Sequence, residues 1–253
     1  IGMSEPNSGS DLASIKTRAS KNGEGWLLNG QKVWTTNAQH SHFMIALVRT
    51  SESDSRHGGL SQFIIDLSLP GIEVRPIKDL TGAEHFNEVF FNDVVLDDDA
   101  MIGAEGQGWQ QVTAELAIER SGPERFLSSL TLLTSLIDEV GRAPDAYQSR
   151  EIGRLVARLF TLRNMSLSVT RQLHEGENPA WAASCVKDFG SIFEQEIPEI
   201  AQLVCETTPD NLAAGGAYSA VLAYLMQQAP SFSLRGGTRE ILRGIIARGL
   251  GLR

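Results

Sequence analysis

The sequence predicts a two-domain α+β chain: a small antiparallel β-barrel or sandwich over residues 1–104, followed by an α-helical bundle over residues 105–253. Three features predict it. Up to about residue 103 the apolar residues form short runs separated by polar or Gly/Pro turns. From Gly108 onward the apolar spacing becomes helical. Pro144, Pro179, Pro198, Pro209 and Pro230 then mark helix boundaries or kinks. The chain opens on Met3-Ser4-Glu5-Pro6-Asn7-Ser8-Gly9-Ser10-Asp11, a loop composition with many free amides and hydroxyls. The stretch from Trp26 to Trp34 predicts a β-hairpin turning at Asn29-Gly30, leading into Trp34-Thr35-Thr36-Asn37. Strands are expected at 43–49, 62–66, 72–75 and 86–95, with Ser51 to Gly59 as a solvated hairpin loop. Helices are expected near 109–140, 147–174, 179–206, 210–227 and 238–250.

Bulk properties narrow the function. With 253 residues and 42% hydrophobic content, the chain is long enough for two domains with real cores. The formal charge is -9 and no dense Lys/Arg run occurs, so nucleic-acid binding is not expected. Cys185 and Cys205 are isolated, without a C-x-x-C pair or histidine cluster, and read as two buried thiols rather than a zinc site or disulfide. No apolar run reaches the roughly 20 residues that spanning a bilayer needs, and no signal peptide precedes the first loop. A cytoplasmic protein with no membrane segment and no metal is the expectation.

Two hydroxyl-bearing loops at the separation of Ser4 and Thr36 suit a planar cofactor held between them. M-S-E-P-N-S-G-S-D resembles the M/V-T-E-P-x-x-G-S-D loop of acyl-CoA dehydrogenases, and W-T-T-N resembles their W-I-T-N. N-E-V-F-F-N-D-V at 87–94, I-G-A-E-G-Q-G-W at 102–109 and G-G-T-R-E-I-L-R at 236–243 resemble the same family's F-x-D-V strand end, I-G-x-x-G-x-G turn and G-G-T-x-E-I-x-R helix start. The resemblance brackets nearly the whole chain. It implies FAD as cofactor and α,β-dehydrogenation of an acyl-CoA thioester to the trans-2-enoyl-CoA. It also implies that the hydroxyls of Ser4 and Thr36 bond the flavin ring, that Met3 and Trp34 flank it, and that Ser10 meets the CoA side. Without it, Trp34 reads as a half-buried strand aromatic. The family places a helical domain ahead of the first loop, and the simplest reading is that this chain is recorded without that part.

The reaction needs a base for the α-proton, a two-electron acceptor, and donors for enolate-like charge on the carbonyl. Many family members carry Glu just before the G-T helix start, where this chain has Gly236, whose amide the resemblance still assigns to the thioester carbonyl. A minority branch, resembling isovaleryl-CoA and long-chain enzymes, places the Glu in an earlier L-x-x-E-R context, which Leu116-Ala117-Ile118-Glu119-Arg120 matches. Val112, Leu116 and Glu119 lie at i, i+4 and i+7, so Glu119 is expected to point inward, where desolvation raises its proton affinity. A structural Glu119–arginine pair or a solvated helix edge is the alternative, and Glu115 is the rival base. Arg120 matches a family arginine near CoA and flavin, its alternative being a surface ion pair. Thr238 is expected to N-cap the last helix with Glu240 in its first turn, and the resemblance makes both FAD contacts.

The family's R-x-x-F and Q-x-x-G-G segments, through which a neighbouring subunit completes the FAD site, are lacking at 141–150 and 209–217, where Arg150 is a possible substitute. That pattern resembles bacterial dehydrogenases of steroid side-chain degradation, in which two unlike subunits share each FAD. The implied partners are an acyl-CoA, an electron-transfer flavoprotein, and a second dehydrogenase-like subunit in a heterotetramer, with a homotetramer as the other arrangement. A catalytically silent flavin-supporting subunit and an acyl-CoA oxidase stand as alternative functions.

Overall fold

The computed structural model describes residues 1–206 and 216–252 and divides into two compact units, Ile1–Thr113 and Ala114–Arg253. The first unit carries β1 (Arg18–Asn22), β2 (Gly25–Thr36), β3 (Phe43–Arg49), β4 (Leu60–Asp66), β5 (Ile72–Ile77), β6 (Phe86–Leu96) and β7 (Met101–Ile102). They form one sheet in the order β5-β6-β2-β1-β3-β4-β7. Neighbours run antiparallel except β1 and β3, which meet in parallel at Arg18 and Arg49. Inward residues of these strands bury a core around Trp26 and Phe63, whose rings meet edge to face at 5.4 Å. Each such side chain contributes about 1.5–3 kcal/mol by leaving water.

The turn at Asn29-Gly30 does not form. β2 runs straight through these residues, and the reversal lies at Gly23-Glu24, between paired Asn22 and Gly25. Gly30 is needed for a different reason. Its φ is +141°, and a Cβ there would lie 2.6 Å from Thr17 Oγ1 and 2.7 Å from Thr17 Cα. Gly30 therefore marks a bulge against β6 where the β1 side closes in, not a hairpin tip.

In the second unit the helix expected over 109–140 is two helices. α1 (Gly108–Ser121), which starts in the first unit, ends just before Gly122, and α2 (Leu130–Val140) begins after a 3-10 turn at Pro123–Arg125. The cause is Pro123, which disfavours helical geometry in the preceding residue; Gly122 is extended, with φ −61° and ψ 153°. α3 (Ala146–His174) starts from Asp145, which forms a capping box with Gln148. α4 (Ala180–Cys205) contains Pro198, α5 is Gly216–Gln228, and α6 is Arg239–Gly249. Pro144 and Pro179 stand at helix starts, and Pro230 sits in the 3-10 turn Ala229–Ser233. Pro209 and the expected helix start at 210–215 lie outside the described residues. The core of this unit is apolar side chains of α2 to α5, among them Leu132, Leu136, Leu155, Phe193 and Leu222. Cys185 and Cys205 are half-buried rather than buried. Among the described residues no helix is long and apolar enough to cross a membrane, and no group of three or more His, Cys, Asp or Glu is placed to hold a metal ion.

Candidate active site

In the first unit the opening loop lies alongside β2. The Val33 amide donates to the Ser4 carbonyl at 2.9 Å, and Gly2 exchanges backbone bonds with Ile45 and Leu47 of β3 at 2.7 and 3.0 Å. The loop is pinned from beneath by a buried ion pair. Lys32, wholly buried, donates from Nζ to Glu5 Oε1 at 2.9 Å and to the Met3 carbonyl at 3.1 Å. Glu5 also accepts the amides of Lys16 at 2.6 Å and Thr17 at 2.9 Å. Burial pushes the Glu5 carboxyl up, but the Lys32 charge and these hydrogen bonds together hold it below its ordinary value. Burial outweighs Glu5 at Lys32 and takes the ammonium down to about 8.

Above this pair, β2 slips register against β6 between Lys32 and Thr35. The irregularity puts Trp34 in the left-handed region, φ +59°, and turns its ring outward, 58% exposed, against the edge of Phe86. Trp34 is thus not the half-buried strand aromatic of the plain reading. Thr35 is turned inward, whereas Thr36 is exposed and Met3 and Ser4 are half-buried. Neither the Ser4 nor the Thr36 hydroxyl is engaged by a described residue. Ser10 is exposed on the same loop.

In the second unit, Gly236 has φ +67°, and a Cβ there would lie 3.3 Å from Arg125 Cζ and 3.4 Å from Lys187 Cε. A side chain at 236 therefore meets two cationic stems in a backbone conformation that suits glycine. Arg120 is buried, and its Nε donates to the Gly236 carbonyl at 3.1 Å, so it makes no surface ion pair. Glu119 is less inward than expected: its side chain keeps 34% exposure, while Val112 is buried and Leu116 half-buried. Glu119 is held by Arg125, which donates from Nε to the Glu119 carbonyl at 3.2 Å and from Nη2 to its carboxylate. Glu115 is half-buried one turn earlier.

Arg125 and Lys187 were not legible as site residues. Burial, reinforced by Arg235, takes the Arg125 guanidinium down to about 10. Burial together with Arg125 and Arg235 takes Lys187 down to about 8, and its Nζ donates to Ser191 Oγ and the Phe232 carbonyl, both at 2.6 Å. Arg235 in turn reaches buried Glu194 at 3.1 Å.

Thr238 occupies the N-cap position of α6, but its hydroxyl makes no capping bond. Glu240 takes over: its carboxylate accepts its own amide and the Thr238 hydroxyl, which together hold it below its ordinary value. Arg150 is exposed, bonds Glu151 at 3.1 Å and lies over the Tyr147 ring. The 209–217 segment falls in large part outside the described residues.

Residues 1–94 match the acyl-CoA dehydrogenase middle domain. Over 257 residues the chain is 35% identical to the acyl-CoA dehydrogenase IpdE1 of Mycobacterium tuberculosis, a match covering 99% of this chain and 66% of that one, just under two thirds. Among solved structures, the ChsE4-ChsE5 complex from Mycobacterium tuberculosis is 26% identical with a TM-score of 0.85, covering all of this chain and 68% of that one. The Tcur3481-Tcur3483 steroid ACAD G363A variant shares the fold, with a TM-score of 0.89 at 23% identity, covering all of this chain and 68% of that one. Over nearly its whole length the chain is thus similar to acyl-CoA dehydrogenases, and it spans about two thirds of the length of IpdE1.

Proposed function

We propose that the protein is an FAD-dependent acyl-CoA dehydrogenase in which Glu119 is the general base. One observation carries the reading: a single guanidinium, that of Arg125, bonds Glu119 and lies 3.3 Å from where a Cβ at Gly236 would stand. Glu119 therefore stands beside the position that many relatives use for the base, and Gly236 itself has nothing to take a proton. The first unit suits a flavin ring, since two unengaged hydroxyls, Ser4 and Thr36, flank an outward, strained Trp34 on a loop pinned by Glu5 and Lys32.

FAD, when bound, supplies the two-electron acceptor for the C–H bond β to the thioester carbonyl. A Glu119 carboxylate oxygen takes the α-proton, so that proton removal is intramolecular once the thioester is bound. The Gly236 amide donates to the thioester oxygen, where enolate-like charge develops, and Arg120 fixes the Gly236 carbonyl so that the amide of this turn keeps its direction. Ser4 and Thr36 would hold the ring by hydrogen bonds, with Met3 and Trp34 flanking it. Thr238 and Glu240 at the start of α6 contact the cofactor, and Ser10 and Arg120 the substrate.

The protein works with a second, unlike dehydrogenase subunit that completes the FAD site, and passes electrons to an electron-transfer flavoprotein. Support for the unlike partner comes from the absent R-x-x-F and Q-x-x-G-G segments and from the likeness to a chain of the two-component ChsE4-ChsE5 complex. One observation, the glycine at 236, favours a catalytically silent subunit instead. Both questions are answered by measuring FAD per chain and anaerobic flavin bleaching by acyl-CoA, for the complete polypeptide alone and with its dehydrogenase-like partner. About one FAD per unlike pair, bleached by substrate only when Glu119 is intact, is expected. Full flavin occupancy of the polypeptide alone overturns the shared site, and bleaching indifferent to Glu119 moves the base to another residue of this chain, Glu115 first, or to the partner subunit.

A further inference from the structure

α1 ends at Ser121, and the Gly122-Pro123 break folds the chain back so that Arg125, six residues after Glu119, reaches it. The contact is twofold, with Nε on the Glu119 carbonyl at 3.2 Å and Nη2 on its carboxylate. Arg125 is only 7% exposed, so its fork is held rigidly, while Glu119 keeps one side open at 34% exposure. The same guanidinium packs over Gly236, its Cζ 3.3 Å from where a Cβ would stand. A lysine reaches one of these acceptors at a time, whereas the planar guanidinium serves both together.

We propose that Arg125 is a positioning residue for the dehydrogenation: it clamps the main chain and carboxylate of Glu119 in one orientation and packs against the glycine at 236. The proposal rests on the assignment of Glu119 as base. Its chemical content is that relocating the base to α1 needs a tether at the helix end. A glutamate at 34% exposure otherwise samples several rotamers, and proton removal depends on the one that faces the thioester.

The test uses the complete polypeptide with its partner subunit, loaded with FAD, and an acyl-CoA that bleaches the wild type. Flavin content, half-saturating acyl-CoA concentration and the limiting anaerobic bleaching rate are measured for wild type, R125Q, R125K, E119Q and the R125Q/E119Q double variant, following slow single turnovers over hours. The expected result is a limiting rate lowered at least 10-fold in R125Q, with half-saturation within about 3-fold and flavin content unchanged. R125K, which keeps the charge and guards against a folding defect, recovers only part of that loss. In the E119Q background, R125Q adds less than 2-fold, because its effect runs through the carboxylate. Equal losses from R125Q with and without Glu119, full recovery in R125K, or a change confined to half-saturation overturns the proposal. Wild-type bleaching by E119Q overturns the base assignment itself, a result visible without any Arg125 variant.

Discussion

Lys32→Met should destabilise the first unit sharply. Lys32 is wholly buried, and its Nζ is the only charge paired with Glu5 among the described residues, at 2.9 Å. Removing it strands a carboxylate that is 8% exposed, with two backbone amides as its remaining partners. Breaking a buried pair from one side costs about 3–5 kcal/mol. With a urea m-value of about 1–3 kcal/mol/M, the midpoint should fall by about 1 M or more. The double variant Glu5→Gln/Lys32→Met removes both charges and should recover most of that loss.

The pH dependence has a definite sign. Lys32 drops from 10.5 to about 8 on folding, so between these values the unfolded chain holds a proton that the folded chain has released. Unfolding then takes up a proton, and wild-type stability gains up to about 3 kcal/mol over Lys32→Met as pH rises from 8 to 10.5. The assay is urea unfolding of the complete polypeptide followed by tryptophan fluorescence, to which buried Trp26 reports. A single-variant loss under about 1 kcal/mol, or a double variant as damaged as the single, would refute the reasoning.

Ser4→Ala removes a hydroxyl that no described residue engages, so stability without flavin should be unchanged. FAD affinity, read by titration of the visible spectrum, should weaken by about 2- to 10-fold, the worth of one net hydrogen bond. Gly236→Glu places a side chain at φ +67° against Arg125 and Lys187. It should cost about 1–2 kcal/mol, seen as a melting temperature lower by a few degrees.

What the sequence revealed depended on how local the determining contacts are. β3 and β4 were legible because their apolar runs pair across one solvated loop, from Arg49 to Leu60. The hairpin was misplaced because Asn-Gly signals a turn wherever it occurs, while Gly30 is required by the approach of Thr17, a contact thirteen residues away. The α1–α2 break was written in Gly122-Pro123 and was masked by apolar spacing that continues on both sides. Thr238 was placed correctly as an N-cap position, but the competition between its hydroxyl and Glu240 for the first amides is decided by rotamers. The family resemblance singles out Glu119 and Gly236, whereas nothing in the sequence points to Arg125, because its reach to both follows from a chain reversal no periodicity records. The Glu5–Lys32 pair joins residues 27 apart and is equally non-local.

The central claim is that Glu119 removes the α-proton. It is tested most directly by mixing FAD-loaded Glu119→Gln complex with acyl-CoA anaerobically and following flavin absorbance alongside enoyl-CoA formation. Loss of a positioned general base should slow bleaching by about 100-fold or more. Flavin content and acyl-CoA binding should stay near wild type, because the substitution is isosteric. Bleaching at the wild-type rate, with one enoyl-CoA formed per flavin, would contradict the account and move the base to another residue or another subunit.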